Sequence, residues 1–355
     1  MANWLLYIYC FSLPYQAVTF GGIAIVKITG LLLSGWLAVE LGFRKFNKSD
    51  LTVVLIVSMA PLYLLIVELL RTSAADAINF YTPFISNVLL FILMILSSHA
   101  LNFRRALMVL VASSFIIPAV MISPLADIGE NGRVSALGLN ANFIAVLLSL
   151  SFMFLSIVAR RQKTDFSSLT LYLLAIVPFL GVISTGTRFG LIVCVFFVCV
   201  VLYRATASRF GSLLASLLIA LIMLAGVYAA ISADLVVVTR FMQLSETFTT
   251  QGRLVLWGLA LEAVDSNYIF GVGPNAFSNY IVPIMGSFMS PHNVFFEFYI
   301  YGGLIGTFLS LPILYLAMSG IRHKSRITGG GDLVYFSSII LIFTIMLHHI
   351  VFNKF

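Results

Sequence analysis

The chain has 355 residues, 61% of them hydrophobic and only 9% charged, with a mean hydropathy of +1.08. A soluble globule, whose apolar share lies nearer ~45–50%, is excluded. The formal net charge of +7 collects mostly in short clusters between apolar runs, so it marks retained loops and gives no reason to expect nucleic acid. Hydrocarbon about 30 Å thick needs roughly 20 apolar residues per helix, and about eleven such runs succeed one another. The first, Trp4–Phe20, is almost continuous with the second, Gly21–Phe43, and the pair can be read as one kinked segment. Lys27, early in the second run, needs a cavity to face or an outer surface to snorkel to. Then come Leu51–Leu70, Ile78–Ser98, Ala106–Ser123, Leu139–Val158, Phe166–Ile183, Phe189–Tyr203, Phe210–Ile231, Val294–Ile321 and Leu333–Val351. The expected fold is an all-α polytopic membrane protein of eleven or twelve transmembrane helices, one integral domain over residues 1–355.

Basic residues in short loops stay on the cytoplasmic side. Arg44/Lys45/Lys48, Arg104/Arg105, Arg160/Arg161/Lys163, Arg204/Arg209 and Arg322/Lys324/Arg326 fall on every second loop of an eleven-span chain. The N-terminus is therefore expected inside and the C-terminus outside. Cys10, Cys194 and Cys199 all sit within spans, which leaves no disulfide framework. The first run lacks a charged leader and a small-residue cleavage site, so it is expected to stay as a helix.

Among the remaining, outward loops, Ser232–Asn293 stands out at about 60 residues against the usual ~2–8 for helix connections. It carries Trp257, Tyr268, Phe277 and Tyr280, and "RLVLWGLALEAV" (Arg253–Val264) has helical apolar spacing. A folded cap on the outer membrane face is expected. Five arginines lie on this side against the retention rule: Arg71, Arg133, Arg188, Arg240 and Arg253. For Arg71 and Arg240 a solvated loop charge or headgroup contact is the simplest explanation. Arg188 differs, because the run after it spans only roughly 22 Å before Arg204. A guanidinium that far below the surface costs at least ~2.5 kcal/mol unless a polar cavity or an anion receives it.

"SPHNVFFEFYIYGGLIG" (Ser290–Gly306) opens like a helix, with Ser290 as N-cap and Pro291 in the first turn, so His292 lies beside free N–H groups and a positive dipole end. Such an end suits an anion. Glu297 lies one turn in from Asn293, and Gly302, Gly303, Gly306 and Pro312 are where this long helix could bend or admit a neighbour. A lone histidine at a membrane edge is more commonly an interfacial hydrogen-bonder than a catalyst; the company of several arginines favours function here. Arginines, one histidine and an apolar surround suit a lipid-linked diphosphate, which needs bidentate cationic donors, bilayer access and neutralised charge as it leaves. Metal and cofactor are not expected. HExxH and Asp-x-Asp are missing, and the adjacent His348 and His349 do not converge on one ion.

These residues resemble the signature of the O-antigen ligase and O-antigen polymerase superfamily. The His-Asn followed by Gly-x-x-Gly is His292, Asn293, Gly303 and Gly306; "STGTRFGLI" is similar to the family's span-initial arginine; "GRLVLW" with "GVGPNAF" resembles its outer-loop stretch, and "GRVSALGLNANFIA" its earlier Arg…Asn element. The resemblance covers roughly Arg133 to Gly306. It implies a metal-independent membrane glycosyltransferase of the inner membrane that takes glycan from undecaprenyl diphosphate on the periplasmic face, with the 232–293 loop in the active site. It also implies Arg188, Arg253 and His292 as the catalytic groups. Arg133, Asn142, Arg240, Asn275 and Asn293 are the expected substrate-binding groups. In the ligase branch the acceptor is a sugar hydroxyl of lipid A–core; in the polymerase branch it is another carrier-linked repeat unit. His292 either takes the acceptor proton or donates to a phosphate oxygen. The family's twelve spans with both ends inside differ from the eleven counted here. A flippase or exporter that binds lipid-linked glycan without chemistry is a more remote alternative, disfavoured because the polar residues gather at one face rather than at mid-membrane.

Overall fold

The computed structural model describes residues 1–44, 46, 48–97, 100–123, 126–128, 134–160, 165–187, 190–195, 197–198, 221, 253–286, 291 and 294–327. Helices dominate them. In chain order they are α1 (Ala2–Ser12), α2 (Ile25–Gly42), α3 (Lys48–Leu69), α4 (Ala74–Leu96), α5 (Phe103–Ser114), α6 (Ile116–Met121), α7 (Ala141–Arg160), α8 (Asp165–Ser184), α9 (Arg253–Val264), α10 (Pro274–Met285) and α11 (Val294–Ile327), with residues 190–195 and 197–198 also helical. Two short antiparallel hairpins interrupt them: β1 (Thr19–Phe20) with β2 (Ile23–Ala24), and β3 (Asp127–Ile128) with β4 (Val134–Ser135).

Five of the described helices are long and apolar enough to cross a membrane: Ile25–Gly42, Asp50–Leu69, Ala141–Ala159, Phe166–Ser184 and Phe296–Ile313. Ala74–Thr82 and Ile85–Leu96, bent by 49°, pass together as a sixth. The chain is thus a multi-pass membrane protein built of helices. The expected runs Phe210–Ile231 and Leu333–Val351 fall outside the described residues, apart from Leu221, as do positions 189, 196 and 199–203 of the run Phe189–Tyr203.

The sides of these helices match a lipid surround. Along α3, Leu51, Leu55, Met59, Leu62 and Ile66 are exposed at intervals of three and four, whereas Val57, Ala60, Leu64 and Val67 on the other side are buried. A water-soluble helix would carry charge on its open stripe.

The first apolar run departs from expectation. Instead of a helix through Phe20, α1 stops at Ser12, Leu13–Tyr15 make a 3-10 turn containing Pro14, and the chain reverses through the β1–β2 hairpin. Gly21 and Gly22, both with positive φ (59° and 80°), form the two-residue turn of that hairpin, a conformation whose twist matches the paired strands and which glycine adopts without strain. Lys27 then lies in the first turn of α2 and is exposed, as snorkelling requires.

The chain groups into two compact units. The first takes Met1–Leu33 and the described residues of 102–244 and 324–344. Its core forms where α7 packs on α8 and α5, and α6 on α8: Ile117, Ile144, Leu148, Phe152, Phe179, Val182 and Phe197 are all buried, and Phe152 packs on Phe179 and Phe197 with ring centres 5.6 and 5.8 Å apart. A Cβ on Gly181 would come within 2.6 Å of Leu148, so α7 and α8 approach this closely only because the residue is glycine. Buried hydroxyls add polar links between helices, Ser114 with Ser151 at 2.6 Å and Cys194 with Ser149 at 3.5 Å.

The second unit takes Ser34–Leu101 and the described residues of 253–323. Its defining feature is a break in α11. At Gly303 (φ 63°, ψ −159°) the helical path is lost, and the N–H groups of Leu304 and Ile305 can no longer reach the carbonyls of Ile300 and Tyr301. The segment 268–273 lies in the gap. Val272 and Gly273 donate to the Ile300 and Tyr301 carbonyls (2.8 and 3.2 Å), while Leu304 and Ile305 donate to the Tyr268 and Ile269 carbonyls (2.9 and 3.2 Å). These four backbone groups of α11 thus keep protein partners, which hydrocarbon could not supply. Gly271 lets the two backbones cross, since a Cβ there would sit 2.5 Å from the Gly303 nitrogen.

Candidate functional site

Two stretches of the second unit frame the expected histidine. Arg253 is the first residue of α9, and Trp257, four residues on, lies on the same side of that helix. The Trp257 indole donates from Nε1 to the Pro291 carbonyl at 2.9 Å and stacks on Phe296 with centroids 5.0 Å apart and planes 14° from parallel. Pro291 is the residue before His292. The helix that begins with Arg253 is therefore fastened, one turn in, to the backbone leading into the histidine and to the first turn of α11.

The second unit also holds a set of buried polar groups. Glu297 and Tyr301, a turn apart on α11, are both buried, as are Glu68 and Tyr81. Tyr301 packs edge-on against Phe80 and Phe277 (6.1 and 6.3 Å). Glu68 falls on the buried stripe of α3 and accepts from the backbone N–H of Asn275 (3.4 Å) and from Thr72 Oγ1 (3.4 Å). Asn275 is the second residue of α10, so Glu68 acts as a cap from a distant part of the chain. Its carboxyl oxygen meets the N–H groups left free at the start of that helix. Gly273, the N-cap (φ 77°, ψ 161°), leaves the room: a Cβ there would overlap Glu68 Oε2. Arg71, one turn past Glu68 and exposed, reaches Asn267 Oδ1 at 3.5 Å, and the Tyr63 hydroxyl donates to the Phe270 carbonyl at 3.4 Å. Desolvation, and next the nearby carboxylate of Glu262 on α9, push the Tyr280 hydroxyl on α10 above its ordinary value.

Removing the Glu68 cap has a calculable effect. Glu68→Ala is expected to destabilise the α10 segment by about 0.5–2 kcal/mol, the usual cost of a lost helix cap. Glu68→Gln, which keeps an acceptor oxygen, is expected to lose less. Thermal unfolding in detergent and protease nicking within 253–286 read both, and an alanine variant with unchanged midpoint and unchanged nicking would contradict the cap.

In the first unit, the segment leading to Arg188 is held in the same manner. Gly186 takes a positive φ of 63°, Thr185 is fully buried, and Thr187 Oγ1 donates to the Ala141 carbonyl at 3.4 Å and contacts Asn142 Oδ1 at 3.5 Å. Asn142 donates its own N–H to Asn140 Oδ1 at 2.8 Å, an Asx-type closure at the start of α7. The expected substrate group Asn142 therefore touches the residue next to Arg188.

Of the expected site residues, Asn142 and Asn275 are placed as above and Arg253 is placed by its backbone. Arg133, Arg188, Arg240, His292 and Asn293 lie outside the described residues, as does the side chain of Arg253. Glu68, its partnership with Asn275 and the Trp257 link to Pro291 are additions that the sequence reading missed. A carboxylate within a span is itself a signal, and Glu68 could have been found that way; its partner 207 residues away could not.

A mostly helical, multi-pass chain with a folded segment threaded through a broken helix is the class that the described residues define. Residues 173–311 match the family model described as O-antigen ligase, which supports the O-antigen ligase and polymerase superfamily resembled by the motifs and suggests a membrane glycosyltransferase-type enzyme. The matched segment contains Arg188, Arg240, Arg253, Asn275, His292 and Asn293, while Arg133 and Asn142 precede it. No curated protein matches the chain.

Proposed function

We propose that the chain is an O-antigen ligase-like glycosyltransferase that moves polysaccharide from undecaprenyl diphosphate to a sugar hydroxyl of lipid A–core on the periplasmic face of the inner membrane. The observation that carries this reading is the family match over 173–311, which spans Arg188, Arg253, His292 and the threaded segment together. Arg188 and Arg253 grip the donor diphosphate, whose charge rises as the bond from the anomeric carbon to the phosphate oxygen breaks. His292 takes the proton of the acceptor hydroxyl as its oxygen bonds to that carbon, and the carrier leaves as its diphosphate. A neutral imidazole near its ordinary pKa of ~6.5 suits a base at neutral pH. Asn142 and Asn275, with Arg133, Arg240 and Asn293, contact the glycan or the phosphates. No step calls for a metal or organic cofactor.

Charge alone is insufficient in this reading, because lysine lacks the planar fork that grips two phosphate oxygens. Purified Arg188→Lys and Arg253→Lys are expected to stay folded and lose most of their turnover with a carrier-linked donor. Near-normal turnover in both would contradict a bidentate diphosphate contact.

A further inference from the structure

Trp257 carries more contacts than a loop aromatic needs. Its ring is stacked on Phe296 in the first turn of α11, its Nε1–H is committed to the carbonyl of buried Pro291, and it stands one helical turn from Arg253. These contacts fix three things at once: the orientation of α9, the exit direction of the backbone at Pro291, and the start of α11. From these we infer that Trp257 is a positioning residue that sets His292 relative to Arg253, through its hydrogen bond to the Pro291 carbonyl, for the transfer reaction. The inference rests on the roles given above to Arg253 and His292.

The two contacts of the indole separate by chemistry. The stack needs only an aromatic ring, whereas the hydrogen bond needs the indole N–H. A phenyl ring at this position keeps the first and loses the second, leaving a carbonyl acceptor unpaired next to the histidine. The backbone at Pro291 is then free to turn by a small amount. Misplacement of a reacting group by about 1 Å costs up to ~10²-fold in rate without requiring any loss of substrate binding.

The test is a four-protein cycle of full-length chain in detergent or liposomes: wild type, Trp257→Phe, His292→Ala and the double variant. Turnover is measured per monodisperse folded protein with carrier-linked glycan and lipid A–core. Trp257→Phe is expected to lower kcat by about 10–100-fold with the donor KM within about twofold. In the His292→Ala background it is expected to lower kcat no further, because a device that aims the histidine has nothing left to aim. An equal loss in both backgrounds, or a donor KM that rises while kcat holds, would overturn the inference. So would a Trp257→Phe protein with wild-type kcat. Wild-type turnover in His292→Ala alone would remove the histidine's role and the inference with it, and is read separately from the same set. Unfolding midpoints of all four report whether any loss is one of folding; a positioning role leaves the Trp257→Phe midpoint close to wild type.

Discussion

His292→Ala is expected to lower turnover by roughly 10²–10⁴-fold with donor binding nearly unchanged, the reach of a general base removed from its reaction. The alternative role for this imidazole, donation to a phosphate oxygen, has a different signature: donor affinity falls in the alanine variant, and His292→Gln retains appreciable activity through its amide donor. A base also leaves its mark on pH. The acidic limb of the rate profile lies near the imidazole pKa, because protonation on lowering pH removes the lone pair that accepts the acceptor's proton, and the limb disappears in the alanine variant. The base is favoured because, in the proposed reading, Arg188 and Arg253 would already offer the diphosphate cationic donors. Unimpaired turnover of purified His292→Ala would eliminate both roles.

Gly303→Ala is expected to have the largest effect on folding. Its φ of 63° with ψ of −159° lies where only glycine is at ease, costing an L-residue about 1–3 kcal/mol from conformation alone. The added Cβ would also overlap the Ile269 carbonyl, which accepts the Ile305 N–H. That carbonyl is backbone, so it cannot swing aside, and overpacking of this kind adds about 1–3 kcal/mol. The threaded segment would be displaced and the backbone groups on both sides of the break left unpaired in an apolar surround. Loss of folded protein, or a sharply lowered unfolding midpoint in detergent, is the expected result. Gly258→Ala supplies the control, since a Cβ there meets nothing within 4 Å on a helical residue of α9 and should be neutral or slightly stabilising. A Gly303→Ala protein as stable as wild type would show that the break is not needed.

The legible parts of this fold were those that a local pattern encodes. Apolar spacing placed a helix over Arg253–Val264, and α9 has those bounds; the glycines of "YGGLIG" marked a bend, and α11 breaks at Gly303. The runs that became α2, α3, α7 and α8 were visible from length and hydropathy alone. The first run misled because hydropathy cannot distinguish a helix from a hairpin, and the evidence was in the backbone demands of Pro14 and of the Gly21–Gly22 pair. What fills the break at Gly303 was not legible at all, because hydrogen bonds between 268–273 and 300–305 leave no periodic trace. The same holds for the partner of Glu68, since Asn275 arrives from 207 residues away, and for that of Trp257, since Pro291 lies 34 residues on. Arg188, Arg253 and His292 stood out by a different logic, that of charge in places where an apolar chain disfavours it.

The most direct measurement of the central claim is mass analysis of envelope glycolipid from a strain lacking this chain, with the wild-type and His292→Ala proteins restored in turn. The expected result is long polysaccharide left on the lipid carrier beside bare lipid A–core, corrected by the wild-type chain and not by His292→Ala. Single repeat units attached to core would contradict ligation and indicate a polymerase of the same superfamily; an unchanged glycolipid profile would contradict glycan transfer by this protein altogether.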